Sequence, residues 1–310
     1  MKRNFHYILS VALLAALLNA CGGDSDYHVI KDDFYGRWSA DTALIKVAVM
    51  PTLDCLPLYL AADHGMFQRH GASVSLYAYE AQMDCDTAFQ CGWVGAMATD
   101  LVRAERLRQQ GIKLDYLTAT DLHWQLLSSR SSRVKRLSQM EDKMLAMTRY
   151  SATAMLADQL VDTSGVVNEH VFRIQVNSIF VRLSMLETQV MDLLLLPEPQ
   201  ATAARNLESP VLYDTHWNQV AMGVVIMNDT TISDATLRAK QREAFLEAYN
   251  EACDSLNELG LNRYRDIIMK RCGVAPAVVD SLPKDIRFTP AHQPLQPDVD
   301  RAVNWLNMQY

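Results

Sequence analysis

Apolar runs alternate with amphipathic stretches along most of the chain, and they follow a regular order. The segment "ALIKVAVM" (43–50) is a nearly continuous apolar run of strand length. The segment after it, "LPLYLAADHGMFQRHG" (56–71), has the spacing of a helix with one buried face, and Gly71 is placed to end it. "ASVSLYAY" (72–79) then predicts a second strand. A repeated order of strand and helix is typical of a doubly wound α/β sheet, whose ligands bind at the carboxyl ends of the strands.

The same order restarts after two closely spaced strand patterns, "LDYLTATDL" and "WQLLSSR". It continues until "VAMGVVIMND", which predicts a strand that returns the chain to the first sheet. We therefore predict two doubly wound α/β lobes joined by two hinge crossings. The predicted bounds are a signal peptide at 1–20, a tether at 21–42, the first part of lobe 1 at 43–128, lobe 2 at 129–221 and the second part of lobe 1 at 222–310.

The stretch "MDLLLLPEPQ" (191–200) joins four leucines to a glutamate held between two prolines. A strand buried on both faces accounts for the leucines. Glu198 has two interpretations, which are compatible with each other. Either its carboxylate points into a ligand cleft at the end of the strand, or it caps the helix predicted for "QATAARN", where an acid near the N-terminus is favoured.

The N-terminus has the pattern of a secretory signal. Lys2 and Arg3 precede the uncharged apolar stretch 7–18, which is too short to span a membrane comfortably. "LNAC" (18–21) resembles the bacterial lipobox, which predicts lipidation of Cys21 and a lipid-anchored protein of the cell envelope that faces the periplasm or the exterior. The alternatives are ordinary secretion with Cys21 as a free thiol, or a plain N-terminal anchor helix.

Composition describes a globular chain and argues against nucleic acid as a partner. The 310 residues are 49% hydrophobic and 21% charged, which is ordinary for a folded protein with room for two lobes. Removing residues 1–20, which carry two basic residues and no acid, changes the formal charge from −7 to −9. Phosphate contacts require clustered Lys and Arg, and the one dense basic run, "RSSRVKR" (130–136), is typical of a solvated loop.

Five cysteines follow Cys21, and their odd number leaves at least one thiol unpaired or intermolecular. Cys253 and Cys272 lie on two successive predicted helices and are either bonded across that hairpin or free. Cys85 and Cys91 are too far apart on one helix to bridge, so Cys55 is the better placed partner if either is bonded. No histidine or second cysteine stands at a ligand spacing, so we expect no metal site and no cofactor.

Motifs of the common enzyme classes are absent from the sequence. It contains no G-x-S-x-G, no Walker loop, no G-x-G-x-x-G and no H-E-x-x-H, and its eight histidines are scattered. We therefore predict no catalytic residues and a protein that is not an enzyme.

Four stretches resemble the type II periplasmic binding proteins of ABC importers, in the branch that handles alkanesulfonates, nitrate and thiamine pyrimidine precursors. They are "IKVAVMPTLDCLPLYLAADHGMFQRHGASVSLYAY", "DTAFQCGWVGAMATDLVRA", "LETQVMDLLLLPEPQATAA" and "PDVDRAVNWL". Two departures concern the ligand. "SQMEDKMLAM" (138–147) lacks the family's usual Gly-Lys pair, and Gly92 is not followed by the acid that many members carry.

The resemblance implies a monomeric binding protein that clamps a small organic molecule between its lobes and delivers it to a membrane permease. In that fold the candidate ligand-binding residues are the polar ones after the strands: Thr52, Asp54, Gln82, Thr99, Asp100, Tyr150, Ser151 and Glu198. Asp84, Asp86 and Thr153 belong to the same loops. The free N–H groups of the helix that begins near Ser151 would suit an anion. Trp93 and Trp124 either stack on a flat ligand or belong to the core.

The candidate loops carry several acids and little Lys or Arg, which favours a neutral or cationic ligand such as an amino-pyrimidine over a sulfonate. Two other functions remain open. One is a pyrimidine-precursor-synthesising enzyme of the same fold, in which Cys55, Cys85 or Cys91 would be reactive. The other is a ligand-sensing partner of a membrane receptor, which would use the same cleft.

Overall fold

The computed structural model describes residues 43–309, in which ten strands form two sheets of five. The strands are β1 (Ile45–Val49), β2 (Val74–Ala78), β3 (Ala96–Asp100), β4 (Leu114–Thr120), β5 (Trp124–Ser128), β6 (Lys143–Met147), β7 (Val171–Gln175), β8 (Leu193–Pro197), β9 (Val211–Asp214) and β10 (Gly223–Asn228). The predictions for the signal peptide, the tether and Cys21 lie outside the described residues.

Eleven α-helices within residues 43–309 accompany the strands. They are α1 (Leu56–Asp63), α2 (Met66–His70), α3 (Gln82–Gln90), α4 (Leu101–Gln109), α5 (Ala152–Ser164), α6 (Ile179–Glu187), α7 (Gln200–Asn206), α8 (Ala235–Leu259), α9 (Arg265–Cys272), α10 (Pro276–Asp280) and α11 (Gln296–Asn307). Short 3-10 segments lie at Leu53–Cys55, Leu137–Gln139, Asn168–His170, Thr215–Asn218 and Leu261–Tyr264. Among the described residues, no helix has the length and apolar character needed to cross a membrane.

The two sheets have the same internal order. The first runs β2-β1-β3-β10-β4 and the second runs β7-β6-β8-β5-β9. In each sheet three neighbouring strands are parallel, and the fourth, β10 or β5, is antiparallel to both of its neighbours. Each antiparallel strand is the first one after a crossing between the sheets. We call each sheet with its helices a lobe.

The central strands are apolar because both of their faces are covered. All five residues of β8 are buried, as are four of the five in β1, whereas the outer strands β2 and β7 are partly exposed. This accounts for the leucine run of β8 as a strand buried on both faces. Helix α8 packs on α1 and α2, and α11 packs on α4 of the first lobe and α5 of the second.

The crossings lie at 121–123, between β4 and β5, and at 215–222, between β9 and β10. The sequence interpretation placed β5 in the first lobe, with the boundary after residue 128. In the structure β5 pairs with β8 and β9 of the second sheet. Its apolar run would suit either sheet, so only the pairing decides to which one it belongs.

All five cysteines of the described chain are free, and four of them are buried. The bridge considered between Cys253 and Cys272 is not formed. The Cys253 thiol lies 3.6 Å from the Thr289 carbonyl oxygen. Burial, and then the nearby Asp54, raises the pKa of Cys272. Helices α8 and α9 therefore pack without a covalent link.

Candidate functional site

A cleft lies where the carboxyl ends of strands from both lobes face one another. Its polar lining comes from Thr52, Asp54, Gln82, Thr99, Asp100 and Arg103 of the first lobe and Thr148, Ser151, Thr153, Asn177 and Arg182 of the second. Met50, Cys55, Ala98, Leu122, Trp124 and Ile179 complete it. This is the edge at which doubly wound sheets bind ligands.

The cleft is nearly closed in this structure. It leaves about 30 Å³ for the centres of water-sized molecules. An organic ligand therefore requires the lobes to separate or the lining side chains to rearrange, as expected of a fold that closes about a hinge.

Six of the eight residues predicted to bind ligand line this cleft: Thr52, Asp54, Gln82, Thr99, Asp100 and Ser151. Thr153 and Trp124 also line it, whereas Asp84, Asp86 and Trp93 do not. The other two predicted residues, Tyr150 and Glu198, are not among the lining residues.

The carboxylate of Glu198 caps α7, which is the second of the two interpretations given to it in the sequence. One of its oxygens accepts hydrogen bonds from the backbone N–H (3.0 Å) and the hydroxyl (2.7 Å) of Thr202 in α7. The other pairs with Arg205 at 2.8 Å. The carboxylate is thus fully used by α7, where an acid at the N-terminus is favourable. Its main-chain carbonyl accepts from the N–H of Leu53 in the first lobe at 2.9 Å.

Tyr150 also lies outside the cleft lining. It adopts a φ of 53°, and the guanidinium of Arg106, on α4 of the opposite lobe, lies 4.2 Å from its ring centre. The tyrosine therefore contributes a cation–π contact between the lobes.

Asp54 is buried in the 3-10 segment Leu53–Cys55, which follows β1. Its Oδ2 accepts from the hydroxyl of Thr120 at 3.2 Å, and its Oδ1 has no hydrogen-bond partner. Burial raises the pKa of Asp54, and the hydroxyls of Thr52 and Thr120 oppose that shift in part. Burial of a carboxylate with one oxygen unpaired is costly. This group therefore favours a partner that donates a hydrogen bond or carries positive charge.

Asp100 connects the two lobes through one oxygen. Its Oδ1 accepts from the N–H of Arg103 at 3.1 Å, which caps α4, and from the N–H of Ala152 at 3.0 Å, which opens α5 in the opposite lobe. Burial raises the pKa of Asp100 to about 6, against the opposing charge of Arg103. An acid at the N-terminus of two helices is well placed electrostatically, although burial disfavours its charge.

The start of α5 does not offer the free N–H groups that the sequence suggested for an anion. The N–H of Ala152 is taken by Asp100, and that of Thr153 by the hydroxyl of Ser151 at 3.1 Å. The N–H of Ala154 donates to the carbonyl of Ser151 at 3.0 Å. The chain itself satisfies this helix end.

Two arginines line the cleft, and the sequence interpretation did not include them. Arg103, 2% exposed, forms ion pairs with Asp86 and, at 3.6 Å, with Asp100. Its Nε and Nη2 have no hydrogen-bond partner. The acid three residues before Arg103 is the one sequence signal for it, since Asp100 and Arg103 have the spacing of neighbours on a helix.

Arg182, on α6 and 1% exposed, has no acidic partner among the described residues. It donates to the carbonyl oxygens of Val176 and Leu195, both at 2.8 Å, and to the hydroxyl of Thr148. Burial, and then the charge of Arg103, lowers the pKa of Arg182 to about 9. A charged residue within the apolar helix "IFVRLSML" was the available signal. The cleft thus contains buried groups of both signs.

No protein-family model matches the sequence, and no curated protein matches it. Solved structures match over most of the chain. The alkanesulfonate-binding protein SsuA from Xanthomonas axonopodis pv. citri, bound to MOPS, is 17% identical, with a TM-score of 0.71 over 88% of this chain and 94% of that one. The ligand-binding component of an ABC-type import system from Staphylococcus aureus is 14% identical, with a TM-score of 0.70 over 86% and 91%.

The periplasmic nitrate-binding protein NrtA from Synechocystis PCC 6803 is 14% identical, with a TM-score of 0.66 over 82% of this chain and 74% of that one. The chain has the periplasmic binding protein fold. The predicted architecture and the resemblance seen in the sequence are confirmed at the level of fold. These structural neighbours are binding proteins.

Backbone and side-chain hydrogen bonds join the two lobes of this periplasmic binding protein fold beside the cleft. The amide of Gln200, at the start of α7, donates to the carbonyl oxygens of Pro51 (2.8 Å) and Cys272 (3.4 Å) in the first lobe. The indole of Trp305, on α11, donates to Asp158 of α5 at 3.0 Å. Together with the Asp100 contact to Ala152, these bonds hold the closed arrangement.

The thiols near the cleft are poor nucleophiles. Burial, and then Asp54, raises the pKa of Cys55, and burial raises that of Cys85. The thiolate is the reactive form, so a buried cysteine with a raised pKa reacts slowly. Among residues 43–309 no group of three or more His, Cys, Asp or Glu side chains is placed to hold a metal ion.

Proposed function

We propose that the chain is the substrate-binding protein of an ABC importer, which captures a small organic solute between its lobes and delivers it to a membrane permease. The observation that carries this proposal is the cleft, where buried polar side chains from both lobes converge at the carboxyl ends of the strands. The ligand-binding component of an import system, which shares the fold over 86% of this chain, supports the assignment.

Capture requires closure and no covalent step. A solute entering the open cleft would meet Asp54 and Arg103 on one lobe and Arg182 on the other, and closure would remove all three from water. Selectivity would come from hydrogen bonds, because a buried polar group left unpaired costs roughly 1–3 kcal/mol. The bonds of Gln200 and Trp305 between the lobes would then hold the closed form that a permease recognises.

The proposed solutes include a nitrogen heterocycle, such as a thiamine pyrimidine precursor, and a sulfonate. The scarcity of basic residues in the loops favoured the first class. Arg103 and Arg182 remove that reason for disfavouring an anion, because both lie in the cleft on helices. Both classes therefore belong in a binding screen.

The test is a thermal-shift screen of the purified protein against sulfonates, pyrimidines, amines and amino acids, followed by calorimetric titration of any solute that stabilises it. We expect at least one solute to raise the unfolding temperature, since ligand bound to the native state stabilises it by mass action. Uptake of that labelled solute should fall in cells that lack the protein. A solute that is chemically converted during incubation would contradict the binding role.

The membrane anchor is a separate proposal and rests on the sequence "LNAC". Acyl chains on Cys21 would hold the protein at a bilayer, because each buried methylene contributes about 0.8 kcal/mol and several chains together give stable anchoring. Cys21→Ser should move the protein from the membrane fraction to the soluble fraction, or block removal of the leader. Unchanged fractionation and processing would contradict lipidation.

A further inference from the structure

Three side chains that line the cleft have buried polar atoms without a hydrogen-bond partner. These atoms are Oδ1 of Asp54, Nε and Nη2 of Arg103, and Nε1 of Trp124. Nearly all buried polar atoms in folded proteins are paired, so unpaired ones around a cavity indicate what the cavity binds. One acceptor and three donors thus belong to side chains that line the same cleft.

The acceptor lies in the first lobe. Asp54 forms no ion pair with any residue in 43–309, and the groups around it are hydroxyls, the Cys55 and Cys272 thiols and a second acid, Asp121. A buried carboxyl among neutral and acidic neighbours is stabilised by a cation. An ammonium group would supply both the positive charge and the N–H that Oδ1 lacks.

The unpaired donors of Arg103 and Trp124 define the other end of the cleft. Arg103 is paired with Asp86 and Asp100, yet its Nε and Nη2 have no hydrogen-bond partner, and Trp124 adds an indole N–H. Burial and the charge of Arg103 lower the pKa of Arg182, which has no acidic partner within residues 43–309. A buried guanidinium without a counter-ion favours an anion, which it binds through planar, charge-assisted hydrogen bonds.

The start of α5 cannot compete for that anion in the closed state. Its first N–H groups are already bonded to Asp100 and Ser151. An anionic group of the ligand therefore has the guanidinium groups and the indole among its donors. Asp54 and both arginines line one cleft, so a single small solute can reach both ends once the lobes have opened.

We propose that the ligand is a small dipolar solute, whose ammonium group binds Asp54 and whose sulfonate or carboxylate group binds the Arg103, Arg182 and Trp124 side of the cleft. This rests on the proposed function and narrows its substrate class. It accounts for buried groups of both signs in one cleft, which a simple anion or a simple amine would leave partly unpaired.

The test compares matched probes by calorimetric titration of the purified protein: 3-aminopropanesulfonate, propanesulfonate and propylamine, with 4-aminobutanoate, butanoate and butylamine as the carboxylate set. We expect the dipolar member of at least one set to bind tenfold to a hundredfold more tightly than either singly charged analogue, because each analogue leaves one buried group unpaired. Equal affinity for the dipolar compound and one analogue would overturn the inference.

Variants test the two ends separately. Asp54→Asn should abolish the preference for 3-aminopropanesulfonate over propanesulfonate, and Trp124→Phe should weaken both sulfonates and leave propylamine unchanged. Asp162→Asn, on the exposed face of α5, removes the same charge away from the cleft and should retain the full preference. If Asp54→Asn also retained it, the ammonium site would be wrong.

The outcomes also separate this inference from the proposed function. If both probe sets fail while a singly charged or neutral solute binds, the transport assignment stands and the dipolar class is wrong. If no solute of any class binds, both are wrong.

Discussion

Asp100 shows how one side chain serves both lobes. Its Oδ1 accepts N–H groups from α4 of the first lobe and α5 of the second, in a site that excludes water. Both bonds favour the ionised carboxyl, yet burial dominates and raises its pKa to about 6. The charge of this residue is therefore sensitive to mild acid.

Replacing Asp100 by Asn should flatten the pH dependence of stability. The folded carboxyl titrates at about 6 and the unfolded one near 3.8, so between those values the folded state binds more protons. The free energy of unfolding should fall by about 2 kcal/mol as the pH rises from 4 to 7. In Asp100→Asn the free energy of unfolding should fall by that much less over the same range. Urea unfolding between pH 4 and 7 measures both proteins.

The raised pKa values of Asp54 and Asp86 act in the same direction, so part of the fall should remain in the variant. The difference between the two curves reports Asp100 together with its electrostatic coupling to Asp86. Parallel curves for the wild type and the variant would show that the Asp100 carboxyl does not titrate in this range.

For individual residues, the sequence predicted the cleft lining from one rule, which selects polar residues that directly follow a strand. That rule found Asp54, Asp100 and Ser151, because short polar side chains at strand ends have few other places to point. It missed Arg103 and Arg182, whose long side chains reach the cleft from helices. For Glu198 the sequence left two compatible interpretations open, and in the structure the carboxylate contacts the hydroxyl of Thr202 and the guanidinium of Arg205 on α7.

At the level of elements, β10 approaches β4 closely beside the cleft. A Cβ added to Gly223 would overlap the hydroxyl of Thr120 and the Cβ of Leu122. Thr120 donates to Asp54, and Leu122 lines the cleft. The absence of a side chain at Gly223 is thus coupled to the position of Asp54.

Gly223→Ala should lower stability by about 1–3 kcal/mol through overpacking and should weaken the binding of whichever solute the screen identifies. Gly111→Ala is the control, because a Cβ at Gly111 would meet no neighbouring atom. Its φ of +88° is unfavourable for alanine, so the substitution should lower stability by about 1 kcal/mol and leave affinity unchanged. Thermal unfolding and calorimetric titration of both variants measure the two effects. Unchanged affinity in Gly223→Ala would show that β10 does not position Asp54.

Element types were predictable where the pattern was long and regular. The run "LLLLP" became β8 and "LPLYLAAD" became α1, because apolar spacing determines which surface can be buried. The sheet to which β5 belongs was not predictable. "WQLLS" has no feature that selects β8 and β9 over β4 as partners, and the choice depends on contacts distant in sequence.

For the whole molecule, the contact between α11 and α5 links the C-terminal helix of one lobe to the other lobe. The Trp305 indole donates to Asp158, which also pairs with Arg173 at 2.8 Å. Trp305→Phe keeps an aromatic ring, removes this donor and reduces the volume of a buried side chain. We expect a larger radius of gyration in the ligand-free protein by small-angle scattering, and about fivefold weaker solute binding, since a hydrogen bond contributes roughly 1 kcal/mol.

Trp217→Phe serves as the matched control, because Trp217 is 63% exposed. It should change neither the radius of gyration nor the affinity. Identical behaviour of the two variants would show that the α11 contact does not stabilise closure.

The two-lobe arrangement was predictable because the order of strand and helix repeats and then returns. The degree of closure was not, since it depends on bonds such as those of Gln200 and Asp100 between segments far apart in the chain. No local pattern in the sequence distinguishes an open cleft from a closed one.

The place of β10 between β3 and β4 has a consequence for synthesis on the ribosome. Strand β4 has no other partner in its sheet, and residues 223–228 are made about a hundred residues after it. At roughly 5–20 residues per second, the nascent first lobe stays in two unjoined pieces for about 5–20 seconds. Until residues 223–228 are in place, β3 and β4 each present an unpaired edge, and unpaired strand edges are templates for pairing with other polypeptides.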